Sequence, residues 1–158
     1  MRTGYKLFNY RNGKLFPLYI LADEEIPIGK WIKAKSGPLA SDGKHVKGKM
    51  VLAYRPGFHI ACNKPEAPQI KEKPNHIWAE VEYNDKNDYN AEAHENGFLN
   101  GKFAEVRACL KRIPKDGFYY YKTSAKQKEP WVITGEMRVV RLLTENEVKE
   151  LCDICTNS

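Results

Sequence analysis

Arg55, Pro56, Gly57, Phe58 and His59 stand in a row, directly after the apolar run from Met50 to Tyr54. Proline fixes φ and removes a ladder donor, so a strand starting at Met50 must end at this point. Gly57 lets the backbone turn sharply or approach a ligand closely. Phe58 and His59 then alternate on an extended segment, which sends Phe58 to the core and His59 toward a cleft. The His59 ring can donate from one nitrogen and accept at the other, which suits it to hold a ribose hydroxyl or a carbonyl. The same ring can instead bond a neighbouring backbone group and pin the corner, and the residues alone leave both readings open. Arg55, always charged, is placed to clamp a phosphate from the same corner.

Other residues carry chemistry with less specificity. The run Tyr119-Tyr120-Tyr121 puts aromatic rings on both faces of its strand. One face packs in the core; the other suits a stacking platform for a base. Glu80 and Glu82 stand two apart on a strand, the spacing of paired carboxylates and equally of an ordinary solvated face. Cys152 and Cys155 have half the spacing of a zinc site, but neither Cys62 nor Cys109 comes as a second pair. Helical spacing makes them core filler instead, and no metal is expected. His45, His76 and His94 lie in polar surroundings. There is no phosphate-binding glycine loop, nucleophile elbow or His-Glu-x-x-His helix.

The elements that must position these residues are mostly strands. Two strand-like runs flank Asn12-Gly13, the dipeptide that tolerates the two positive φ angles of a type I′ turn, so a hairpin is predicted there. Short strands are predicted in "PIGKWIKA", "MVLAY", "DGFYYYKT" and "WVITGEMRVVRLL", the last with a bulge at Gly135. "HIWAEVEYN" alternates, with Ile77, Ala79, Val81 and Tyr83 on one face and Trp78, Glu80 and Glu82 on the other. Residues 35–49 read as an exposed loop, residues 91–95 as a helical turn and "FAEVRACLKRI" as a strand. In "LLTENEVKELCDIC", Thr144 and Glu147 form a capping box, Leu143 and Val148 sit at the staple positions, and Val148, Leu151, Cys152 and Cys155 share one helical face. The strands follow one another too closely for crossover helices, so the expected class is α+β, a mainly antiparallel sheet with a C-terminal helix.

Composition bounds the rest. The chain has 158 residues, 42% of them apolar, which is most economically one domain over residues 1–158. No apolar run is long enough for a membrane span and no signal-peptide block opens the chain, so a cytoplasmic setting with reduced thiols is expected. The net charge of +6 permits an anionic partner such as a nucleotide or a nucleic acid, although the lysines are scattered.

Taken in order, "RPGFHIACNKPEAP", then "HIWAEVEY", then "KEPWVITGEMRVVRLL" resemble the ADP-ribosyltransferase-like fold. The first piece, with "YKLF" and "PLYILADE" at the N-terminus, resembles small phage and mobile-element domains carrying Arg-Pro-Gly-Phe-His or Arg-Pro-Gly-Trp-His. The resemblance implies that NAD or a related nucleotide is held between two strand sets. His59 would orient the ribose, and one of Tyr119 to Tyr121 would stack on the ring, with Tyr119 and Tyr121 as the ligand-binding choices. Glu129, or its rival Glu136, would stabilise an oxocarbenium-like centre. The first-strand histidine or arginine of active enzymes has no clear counterpart; that strand offers only Lys6 or Arg11. The alternative is a non-catalytic module of a phage or mobile element, acting on a host protein or nucleic acid in counter-defence. A glutamate facing the same cleft as His59 would separate the two.

Overall fold

The computed structural model describes residues 1–18, 22–35, 41, 45–47, 49–53, 55–67, 72–96, 98–99, 108–122 and 129–157. In chain order the strands are β1 (Arg2–Arg11), β2 (Lys14–Phe16), β3 (Trp31–Lys33), β4 (His45–Val46), β5 (Lys49–Ala53), β6 (Phe58–Ala61), β7 (His76–Tyr83), β8 (Asn87–Asp88), β9 (Phe98–Leu99), β10 (Ala108–Cys109), β11 (Gly117–Tyr121), β12 (Trp131–Thr134) and β13 (Glu136–Leu142). Helix α1 (Asn90–Asn96) lies between β8 and β9, and α2 (Glu145–Asn157) follows β13. The architecture is therefore a largely antiparallel sheet with a C-terminal helix. No helix among the described residues is long and apolar enough to cross a membrane.

The main sheet has nine strands in the order β3-β13-β7-β1-β6-β12-β11-β8, with β2 paired to β1; among the described strands β8 and β11 pair in parallel and the other pairs are antiparallel, and Ile28 adds a single parallel bridge to Val139. Its two halves are joined unevenly. β1 and β7 share an eight-pair ladder, whereas β1 and β6 meet only at Tyr5 and Ala61. β12 pairs with β6 and β11, yet passes through Gly135 directly into β13, which pairs with β7 and β3. The run β13-β7-β1-β6-β12 thus has its two ends joined through the chain at Gly135 rather than by pairing. Gly135 is a corner where one strand changes sheet halves, not the expected bulge. A Cβ there would come within 2.5 Å of the Pro114 carbonyl, so the approach of that turn selects glycine. The irregularity in the ladder falls between Val139 and Arg141 instead.

Two apolar clusters occupy the two faces. The enclosed face gathers Phe8, Ile60, Ala79, Val81, Tyr83, Phe118, Val132, Met137 and Val139. The outer face gathers Leu7, Ala61, Trp78, Tyr119, Tyr121, Trp131, Ile133 and Leu143, with Val148 and Leu151 of α2 packed on it. Each large side chain taken fully out of water contributes about 1.5–3 kcal/mol, so the alternation of β6, β7, β11 and β12 stabilises both layers. Both faces of β7 are covered in part: Trp78 is buried outside, and Glu80 and Glu82 are half-buried beside arginines of β13.

Local signals fold as expected where they are strongest. Asn12 and Gly13 have φ of 52° and 77°, and Arg11 pairs with Lys14, as a two-residue I′ hairpin requires. The capping box forms: the Glu147 amide donates to Thr144 Oγ1 at 3.1 Å, and the Thr144 amide donates to Glu147 Oε1 at 3.1 Å. Replacing Thr144 by alanine is expected to cost about 1 kcal/mol, measured by urea unfolding, with the loss confined to α2 in amide exchange. Of the predicted 35–49 loop, His45–Val46 pairs with β5 as a strand, and residues 36–40, 42–44 and 48 lie outside the described residues, as do 101–107.

Candidate functional site

The Arg55–Gly57 corner is built as a tight junction. Pro56 is buried, and Gly57 has φ of 130°, a conformation L side chains rarely adopt. A Cβ at Gly57 would lie 2.7 Å from Ile133 Cγ2 and 3.1 Å from the Thr134 carbonyl oxygen. The glycine thus lets the corner press against β12. From there β6 alternates as predicted: Phe58 and Ile60 join the enclosed face, and Ala61 joins the outer one. His59 takes the parity of Ala61 and meets Trp131 edge-on, with ring centroids 6.5 Å apart.

The His59 ring makes one hydrogen bond among the described residues. Nδ1 lies 3.3 Å from the Gly57 carbonyl oxygen. A carbonyl only accepts, so the proton sits on Nδ1 and Nε2 is an acceptor. Nε2 is buried and has no hydrogen-bond partner among the described residues; the same holds for Nε of Arg55. The Arg55 guanidinium stacks over the Tyr121 ring, 5.0 Å from its centroid. Burial first, then the charges of Arg55 and Lys6, hold the imidazole well below its ordinary pKa, and the Gly57 bond offsets this only in part. His59 is therefore neutral at pH 7.

Lys6, one of the two first-strand candidates, completes the corner. From the neighbouring β1 its ammonium donates to the His59 carbonyl at 2.8 Å. Where β1 and β6 part after their single bridge, this side chain takes the place of a ladder donor. Burial brings its pKa down to about 8. Arg11, the other candidate, stacks on Phe16 and donates to the Ala22 carbonyl at 3.0 Å, remote from the corner.

The other candidates fall elsewhere. Tyr119 and Tyr121 are 0% and 1% exposed, so their ring faces are closed to a base; Tyr119 instead accepts the Leu110 amide through its hydroxyl at 3.2 Å. The exposed ring of the run is Tyr120, at 38%, whose hydroxyl accepts from Arg2. Glu129 is bound by the Asn63 amide at 2.5 Å, beyond the far end of β6 from Gly57. Glu136 sits opposite Lys33 near the sheet edge, on the half that holds β7. The charges acting on His59 are both positive, and no contact joins either glutamate to it among the described residues.

Glu80 and Glu82 are engaged by Arg141 and Arg138 across the β7–β13 ladder, which gives them a structural part. Cys152 is half-buried and its thiol donates to the Pro65 carbonyl at 3.7 Å; the side chain of Cys155 lies outside the described residues, and so does that of His45. His76 accepts the Lys73 amide at 3.2 Å, while His94 is exposed. No group of three His, Cys, Asp or Glu side chains among the described residues is placed to hold a metal. The corner can hold an oxyanion on Arg55 and a hydroxyl on His59. Among the described residues, no carboxylate is among the charges that act on His59.

No family model, curated protein or solved structure matches this chain.

Proposed function

We propose that this chain is a non-catalytic binding module whose Arg55–His59 corner takes a phosphate-bearing ligand of the nucleotide class, NAD among the candidates. One observation carries the reading: two buried polar atoms, Arg55 Nε and His59 Nε2, have no hydrogen-bond partner among the described residues, in a corner whose nearby charges are cationic. A buried donor or acceptor left unpaired costs about 1–3 kcal/mol, and a ligand with an oxyanion beside a hydroxyl satisfies both. The thin seam between β1 and β6 supports the likeness to ADP-ribosyltransferase-like folds, in which the nucleotide lies between two strand sets. The positions of Glu129 and Glu136 favour binding over transfer. In the same reading the module belongs to a phage or mobile element and acts on a host protein or nucleic acid in the host cytoplasm, with the net charge of +6 favouring an anionic partner.

Titration calorimetry with NAD, AMP and inorganic phosphate tests it. Saturable binding that weakens with salt is expected. Arg55→Met keeps the stem over Tyr121 but removes the charge, and should weaken binding about tenfold or more, the size of a lost charged hydrogen bond. Equal affinity in the variant would remove the corner from consideration. Release of nicotinamide from NAD that disappears in Glu129→Gln would favour a transferase instead.

A further inference from the structure

We propose that ligand binding at the Arg55–His59 corner is coupled to proton uptake by Lys6, so that this lysine sets the pH range in which the site works. The inference rests on the binding reading above and adds its regulation. Its basis is geometric. The Lys6 ammonium holds the backbone of His59, at 2.8 Å from its carbonyl, next to the single Tyr5–Ala61 pair that joins β1 to β6.

Lys6 already communicates with the site, because its charge acts on the His59 imidazole. Coupling between two sites is reciprocal. An anion bound against His59 and Arg55 therefore acts on Lys6, and it favours the ammonium over the amine. The groups around Lys6 leave that effect unopposed. β6 and its corner contribute His59 and Arg55; β7 sets Ala79 opposite it; β1 brings the Phe8 ring, 5.9 Å from Nζ. Burial brings its pKa down to about 8, and among the described residues no carboxylate contributes. Near that pH the free protein holds Lys6 partly as the amine, and a bound anion draws the missing fraction of a proton from solution. Below pH 7 the lysine is already charged and the coupling has nothing to act on.

The experiment is calorimetric titration with AMP at pH 6.5 and pH 8.5, each in two buffers of different ionisation enthalpy. AMP is fully ionised at pH 8.5, since phosphate monoesters lose their second proton near pH 6, so uptake there belongs to the protein. A fraction of one proton should be taken up per AMP bound at pH 8.5. The affinity should fall as pH rises beyond 8, by at most about tenfold per pH unit for one coupled proton. Lys6→Arg keeps a permanent charge at the seam and should bind with no proton uptake at pH 8.5 and a flat affinity from pH 7 to 9.5. Lys6→Met should also abolish the uptake, and a lysine that only supported the fold would leave it unchanged. Binding of AMP without proton uptake at pH 8.5 overturns the coupling and leaves the binding reading standing. No AMP or inorganic phosphate binding at any pH overturns both.

Discussion

Gly57→Ala is expected to destabilise the protein by about 2–6 kcal/mol, more than any single cap or surface change. Two costs combine. A non-glycine residue held at a sparsely populated positive φ costs about 1–3 kcal/mol, and Gly57 sits at 130°. Forcing an added methyl into a packed interior costs about 1–3 kcal/mol more. The new Cβ would stand 2.7 Å from Cγ2 of Ile133 and 3.1 Å from the Thr134 carbonyl oxygen. Ile133 is fully buried in the middle of β12 and cannot swing aside. Gly13→Ala is the matched control. It also has a positive φ, 77°, but nothing lies within 4 Å of its added Cβ. Denaturant unfolding of the two variants compares a positive φ in open space with a positive φ pressed against β12. If the two lose equal stability, the corner is not packed on β12 and the site described at His59 does not exist in that form.

What the sequence made legible follows the range of the interactions involved. The hairpin at Asn12-Gly13 and the capping box at Thr144–Glu147 are set by residues within a few positions of one another, and both form. The alternation of Ile77 to Tyr83 is also local, and it sorts Ala79, Val81 and Tyr83 into one cluster. The corner was legible because proline and glycine act on their own backbone. Pairing across the sheet was not. Glu136 follows β12 by two residues, yet its strand turns at Gly135 and pairs with β7 and β3. Nothing near Gly135 in the chain announces that change of partner, and the Pro114 carbonyl that requires glycine there is a contact made only in the folded state.

The aromatic run illustrates the same limit. Period-two alternation separates Tyr120 from its neighbours, but it does not say which side is covered. Strand β11 lies between β12 and the short β8, with Tyr89, Ala93 and Leu110 packed on the outer cluster that takes in Tyr119 and Tyr121. Lys6 shows the opposite case. A lysine in "YKLFNYR" reads as the polar residue of an amphipathic strand. Its importance comes from a gap between β1 and β6, a matter of register that only the assembled sheet reveals.

Acidification should destabilise the protein through His59. Its imidazole is half-buried, with Nε2 out of water and the charges of Arg55 and Lys6 nearby, so the folded state holds it neutral well below the ordinary 6.5, while the unfolded chain protonates it near that value. Between the two pKa values the unfolded state binds more protons than the folded one. Stability then rises with pH across that window and is lost as pH falls from 6.5 toward the folded pKa, at about 1.4 kcal/mol per pH unit for one proton. The contribution is fully present above pH 7. Carboxylates also titrate on the acid side, so the readout is a difference: urea unfolding of the wild type and of His59→Phe at pH 7, 6 and 5. Phenylalanine keeps a ring against Trp131 and has nothing to protonate. The wild type should lose more stability than the variant between pH 7 and pH 5, by at most about 1.4 kcal/mol per pH unit. Parallel curves would mean that the folded protein protonates His59 as readily as the unfolded chain does. That would place the ring in water rather than in the corner, and the acceptor assigned to Nε2 would be gone.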